Sequence, residues 1–314
     1  MSGPAQFPLI SSRAVKAIIL EELDAALDSS WVNQVANRYD SNQASETYAG
    51  TGNVAPMREW IGPKQAIPIN VGSTIVTNKD WESTLMLNEK DLRRDKTGQL
   101  KMKAAELAVR GRQHIEKILS ALIDTGDDGD IGLAFDGQYF FDTDHSFGSS
   151  GTINNDITFD VATTTAPTPV EAADAILAGI QALYGFKDDQ GEPSNGNLKN
   201  FTVMVPTPFW ASFSTAANLQ FLTSGQSNKL KGMDGININI VVNQRSTWTT
   251  SFAIFATDRI TKPFIIQTEV APYLESLERG SDFWFANHAE LYSVVSADNV
   301  GYQRFDGAIL VTLV

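Results

Sequence analysis

The chain has 314 residues and a mass of 34.2 kDa, past the size at which one hydrophobic core usually stops growing, so two lobes are expected. Its 24 Lys and Arg stand against 37 Asp and Glu, and the formal net charge of −13 argues against sequence-independent binding of a phosphate backbone as its main work. No apolar run approaches a membrane span, the first residues lack the basic-then-apolar pattern of an export signal, and the lack of cysteine excludes disulfides and thiolate metal sites and fits assembly in a reducing cytoplasm.

The segment SSRAVKAIILEELDAALDSS reads as a first helix, capped by Ser11 or Ser12, with Val15, Ile18, Ile19, Ala26 and Leu27 at helical spacing. Residues 29 to 56 are polar and irregular, so the N-terminal part reads as an arm. Gly62-Pro63 then forces a turn after Trp60. Two β-like runs follow, AIPINVGSTIVT (66 to 77) and WESTLMLN (81 to 88), and their short polar connection predicts a hairpin. An isolated two-stranded ribbon is marginal in water, so a neighbouring subunit is expected to cover it.

The longest predicted helix covers roughly 99 to 125. Leu100, Ala104, Leu107, Ala108, Gly111, Ile115, Ile118, Leu119 and Leu122 form one apolar stripe along it. Gly111 lies on that stripe, where another backbone is expected to come close. After FDGQYFFDTDHSFG (135 to 148), GTINNDITFD suggests a small hairpin. TPVE at 168 to 171 is the clearest local signal: Thr168 caps, Pro169 takes the first helical position and Glu171 closes a capping box, with the helix stopping near Gly185. FTVMVP reads as a buried strand, TPFWASFSTAANLQFL as a short helix, and GININIVVNQ, SFAIFATD and PFIIQTEV as successive strands. From about 283 the alternation predicts long antiparallel strands, ending in GAILVTLV. The class is α+β.

Candidate chemistry is sparse. GTGNVA (50 to 55) matches G-x-G-x-x-A but follows no predicted strand and opens no helix, so it reads as a flexible loop. DTGDDGDIGLAF (124 to 135) imitates a calcium loop at Asp124, Asp128 and Gly129, with Phe135 where the bidentate Glu belongs; a solvated turn is the better reading. Of the three histidines, His114 reads as an exposed helix residue and His288 as a strand residue. Asp142, Asp144 and His145 remain: either the centre of a metal-dependent hydrolase, or a structural turn pinned among Phe135, Tyr139, Phe140, Phe141 and Phe147. The absence of a second ligand cluster favours the turn, with Asp142 and His145 as a pair. No catalytic, cofactor or metal residue is therefore assigned. Lys79, at the tip of the predicted hairpin, reads as an uncommitted surface lysine.

REWIG (58 to 62), then NKDWESTLMLNEKDLRRDKTGQL (78 to 100), then a long helix, then FDGQYFFDTDHS, resembles in order and spacing the major head protein of Mu-like phages and prophages. The resemblance covers roughly residues 40 to 150, and Ser146 departs from the Pro usual in that family. It implies the tailed-phage capsid fold of the Hong Kong 97 type. The expected parts are an N-terminal arm (1–65), an extended hairpin loop (66–88), a peripheral domain with a spine helix (89–160), an axial domain (161–270) and C-terminal strands returning to the peripheral domain (271–314). The implied function is a non-enzymatic major capsid protein that self-assembles as hexamers and pentamers into an icosahedral head enclosing double-stranded DNA without sequence-specific binding. Implied partners are further copies and scaffold, portal and decoration proteins, with no membrane and no cofactor; the implied location is the virion, assembled in the host cytoplasm. An encapsulin-like nanocompartment shell shares the fold and is the alternative.

Overall fold

A computed structural model describes residues 12–25, 31–53, 57, 59–61, 71–95, 98–219, 228–230 and 235–314. The chain opens with α1 (Ser12–Asp24), α2 (Val32–Val35), β1 (Ala36–Asp40), β2 (Ser45–Thr51), β3 (Val71–Thr77) and β4 (Lys79–Asn88). Next come α3 (Glu89–Arg94), α4 (Gln99–Arg112), α5 (His114–Asp124), β5 (Asp156–Phe159), α6 (Pro169–Gly185), β6 (Asn200–Pro206) and α7 (Trp210–Asn218). The rest is β7 (Asn237–Asn243), β8 (Ser251–Ala256), β9 (Phe264–Leu277), α8 (Asp282–Asn287), β10 (Ala289–Tyr302) and β11 (Ala308–Leu313).

These strands form three sheets, ordered β1-β9-β10-β4, β5-β11-β8-β6-β7 and β2-β3. In the first, β1 runs parallel to β9, while β10 is antiparallel to both β9 and β4. Its small core is closed by α1 and α4: Val15, Ile19, Leu87, Ala104, Leu107, Ala108, Tyr292 and Val294 are buried together. The five-stranded sheet carries the larger core. Phe252 to Ala256 of β8 are all fully buried, which is why SFAIFA reads as an unbroken apolar run rather than an alternating one. Helix α6 lies on this sheet with Gly179 facing Ile254, Val311 and Ile309. It begins as the sequence dictates, with Thr168, Pro169 and Glu171 in a complete capping box.

The spine helix is interrupted once. α4 ends at Arg112 and α5 begins at His114, with Gln113 between them. Gly111 does face a close neighbour, but it is a side chain and not the expected backbone: a Cβ there would lie 2.7 Å from Val294 Cγ1. His114 is not the exposed residue that its Arg/Lys neighbours suggested. Its side chain is 15% exposed, its ring packs on Trp81 with centroids 4.5 Å apart, and Nε2 lies 3.3 Å from the buried Asp298 carboxylate. The break turns this position inward, onto the bulged part of β10.

Several expectations change. The runs 66–77 and 81–88 do not pair with each other. β3 pairs with β2, in register from Ser45↔Thr77 to Thr51↔Val71, and β4 pairs with β10. Only Asn78 separates β3 from β4, so the chain crosses directly from the ribbon into the first sheet, and the ribbon's other strand is the polar SETYAGT, expected to be irregular. Lys79 accordingly begins a sheet strand. GTINNDITFD makes no hairpin: β5 is a single strand parallel to β11, with only an isolated bridge from Ile153 to His145. The 270/271 boundary falls inside β9, and β11 lies in the five-stranded sheet rather than returning to the first. His288 precedes β10 as the C-cap of α8, with φ 50°. The Ser11 cap, the Gly62-Pro63 turn and residues 66–70 lie outside the described residues.

Replacing Gly111 by Leu forces a large side chain against Val294 and should destabilise the subunit by about 1–3 kcal/mol. Denaturant unfolding measures this directly, and an unchanged midpoint would show that the helix face is not packed as described.

Candidate functional site

The 135–148 segment wraps the junction between the end of the spine helix and the turn from β10 to β11. Phe140 and Phe141 are fully buried, and Phe140 stacks on Tyr302 with ring centroids 4.6 Å apart. The Tyr302 hydroxyl donates to the Leu122 carbonyl at 2.8 Å, tying this strand end to α5. Asn155, also fully buried, donates to the Phe140 carbonyl at 2.8 Å and accepts from the Asp142 N–H at 2.8 Å. These bonds satisfy polar groups that burial would otherwise leave costly.

His145 is completely buried, and its partner is Asp136, not Asp142. Nδ1 lies 2.7 Å from Asp136 Oδ2, and Nε2 lies 3.2 Å from the Phe140 carbonyl oxygen. Each ring nitrogen therefore has an oxygen partner within the same buried turn. The ring stacks nearly flat on Phe305, with centroids 3.8 Å apart at 7°. Asp142 Oδ1 instead accepts from the Thr143 N–H at 2.6 Å, and Asp144 accepts from the Gln138 amide at 2.9 Å. The three residues singled out in the sequence do not converge, because the turn sends both carboxylates outward. Among the described residues, no group of three or more His, Asp or Glu side chains could hold a metal ion. The arrangement pins a loop.

The calcium-loop imitation is also absorbed locally: Asp124 accepts from Thr247 at 2.6 Å, and Asp128 accepts from the Asp130 N–H at 2.9 Å. The acids of this region do repel one another. Burial, then the nearby Asp127 and Asp142 carboxylates, push the Asp156 carboxyl up to about 6.

The charged cluster that the sequence reading missed lies on the other side of Phe305. Asp306 accepts from Arg304 at 2.9 and 2.7 Å, from Arg259 at 3.0 Å and from the Ser194 hydroxyl at 2.9 Å. Burial alone would raise its carboxyl, but Arg259 and Arg304 beside it hold it well below the usual carboxylate range. Arg259 also donates to Asn195, whose amide donates to the Leu183 and Asp306 carbonyls. One signal was legible: Phe-Asp-Gly occurs twice, at 135–137 and 305–307. The two phenylalanines stack with centroids 5.0 Å apart, and each aspartate binds a buried cationic or imidazole side chain.

A different kind of surface occurs at the ribbon. Ile75 of β3, and Met57, Trp60 and Ile61 in the segment between β2 and β3, are all about two-thirds exposed or more.

His145→Ala and Asp136→Ala should each lower unfolding free energy by about 1–3 kcal/mol, the cost of leaving a buried partner unsatisfied, while Asp144→Ala should change it little. Equal effects at Asp136 and Asp144 in thermal unfolding would refute this pairing. Asp306 adds a pH dependence of definite sign. Its folded carboxyl is held below the unfolded value of about 3.9, so its contribution is intact above about pH 4. It declines as pH falls further, by up to about 1.4 kcal/mol per pH unit. Urea unfolding followed from neutral pH into acid reads this slope, and the opposite slope would contradict it.

The family model of the Mu-like prophage major head subunit gpT matches residues 11–167, half of the chain. The Mu-like prophage FluMu major head subunit of Haemophilus influenzae is 30% identical over 117 residues, 37% of this chain and 37% of that protein. The major capsid protein of Escherichia phage Mu is 22% identical over 142 residues, 44% of this chain and 46% of that protein. The matches thus span less than half the length of either relative. Among solved structures, the capsid of the cyanophage P-SCSP1u superposes with a TM-score of 0.58 at 12% identity, over 93% of this chain and 91% of that one. The chain belongs to the Mu-like prophage major head subunit gpT family and has the tailed-phage capsid fold of the Hong Kong 97 type.

Proposed function

We propose that this protein is the major capsid subunit of a Mu-like phage or prophage, self-assembling as hexamers and pentamers into an icosahedral head around packaged double-stranded DNA. The observation that carries the reading is the β2–β3 ribbon, with Ile75 exposed on it and Met57, Trp60 and Ile61 exposed in the segment between its strands, in a chain of a head-subunit family. A monomer gains nothing from an extended ribbon of two strands, since it is marginally stable in water. A shell gains a strap from each subunit to the next, and heterologous contacts of this kind close into rings. In this reading the four-stranded sheet with α4 and α5 is the peripheral part, and the five-stranded sheet with α6 and α7 is the axial part.

The work is mechanical rather than catalytic, because the buried acids and histidine around 135–148 are consumed by structural bonds. The shell belongs to the virion and is built in the host cytoplasm, with scaffold, portal and decoration proteins as further partners. An encapsulin-like shell has less support, because the matching family is that of a phage head subunit.

Purified protein viewed by negative-stain electron microscopy should show shells or ring-shaped capsomers; a monodisperse monomer at every concentration would overturn the proposal. Met57→Ser combined with Ile61→Ser changes two exposed residues, so the subunit's melting temperature should hold while shell yield falls. Normal shells from that variant would show that these side chains are not contacts.

A further inference from the structure

The β2–β3 ladder places Gly50 directly opposite Gly72, one step before its final pair, Thr51↔Val71. The ring of Phe135 sits on both glycines at once. A Cβ on Gly50 would lie 2.9 Å from Phe135 Cγ, and one on Gly72 would lie 2.5 Å from Phe135 Cδ2. Neither glycine has a positive φ, so their backbones do not demand glycine. What they need is space, the reason a glycine inside a strand so often marks a close approach.

Phe135 is itself braced from behind. It stacks on Phe305 at 5.0 Å and 20°, meets Phe147 edge-on at 5.0 Å, and has the Arg304 guanidinium 5.9 Å from its centroid. Phe305 in turn is held by the His145 ring. Just past the seat, the Asn53 N–H donates to Asp189 at 2.6 Å and its side-chain amide donates to Asp188 at 3.0 Å. The ribbon is therefore fixed on both strands by one aromatic side chain, and on its outgoing strand by a second tether, before residues 54–70.

We propose that Phe135, seated on the Gly50–Gly72 pair, sets how the ribbon lies on the subunit and thereby its fit to a second copy. Phe135, Gly50 and Gly72 are positioning residues. The proposal rests on the capsid reading only for its last step, the fit to a second copy. The 135–148 segment thereby has a mechanical role, since the His145–Asp136 bond and the paired Phe-Asp-Gly stacks hold the seat rigid.

The absence of native cysteine makes the test direct. Spin labels at Ser73→Cys, on the ribbon, and Thr158→Cys, on the five-stranded sheet, report the ribbon's position in the full-length, unassembled subunit. Gly72→Ala should displace Ser73 by about 1 Å or more, the difference between a 2.5 Å and an ordinary 3.4 Å contact, and shell yield should fall severalfold. Phe135→Ala should broaden the distance distribution. Phe135→Leu in the Gly72→Ala background removes the ring Cδ2 contact but leaves the Phe135 carbonyl oxygen and Cβ in place, so it should recover part of both the distance and the yield, which a general loss of stability would not do. Unchanged distances in Gly72→Ala and Phe135→Ala would overturn the proposal, as would normal shell yield despite a displaced ribbon. If the unsubstituted protein forms no shells while the distances respond as expected, the capsid reading fails and the seat stands.

Discussion

Residues 289–313 bind the molecule together. β10 is hydrogen-bonded along both edges, to β4 and to β9. Its first half buries Tyr292 and Val294 in the small core, and its second half buries Val300 and Tyr302 in the large one. The chain then turns through Arg304, Phe305 and Asp306 and enters the five-stranded sheet as β11. One short, fully engaged stretch thus belongs to both sheets. At the turn, the cost of burying Asp306 is offset by Arg259 and Arg304, and removing either cation would leave a buried charge poorly compensated. The orientation of the two sheets is built into that corner.

The 135–148 segment acquires its meaning from the same corner. Phe305 is stacked by Phe135 on one contact and by His145 on another. Asp136 orients the histidine, and Phe140 packs against Tyr302 at the end of β10. A constellation of acids, imidazole and rings that resembles a reactive centre is therefore a brace. Phe135 packs against both strands of the ribbon, whose Ile75 is exposed.

What could be read in the sequence was whatever depends on neighbours along the chain. The capping box at Thr168 and Glu171, the apolar stripe of the spine helix and the unbroken apolar run of β8 all declare themselves locally. The order of motifs located the family. What escaped depends on pairings far apart in sequence. The polar SETYAGT gives no sign that it is a strand, because its partner β3 begins about twenty residues later. His145 was assigned to Asp142, three residues away, although the turn points that carboxylate elsewhere and brings in Asp136. His114 was read as exposed from its helix neighbours, because the break at Gln113 and the bulge in β10 leave no trace in the pattern. The recurrence of Phe-Asp-Gly was visible, but its significance required seeing the two phenylalanines stacked.

The central claim is that the ribbon is built to be covered by another copy of the chain while its seat on Phe135 remains intact. A cryo-electron-microscopy reconstruction of particles assembled from the full-length protein tests this most directly. The account predicts Trp60 and Ile61 buried against an adjacent subunit, with Gly50 and Gly72 still against the Phe135 ring. Particles in which these side chains face solvent, or in which Gly50 and Gly72 have left the Phe135 ring, would contradict it.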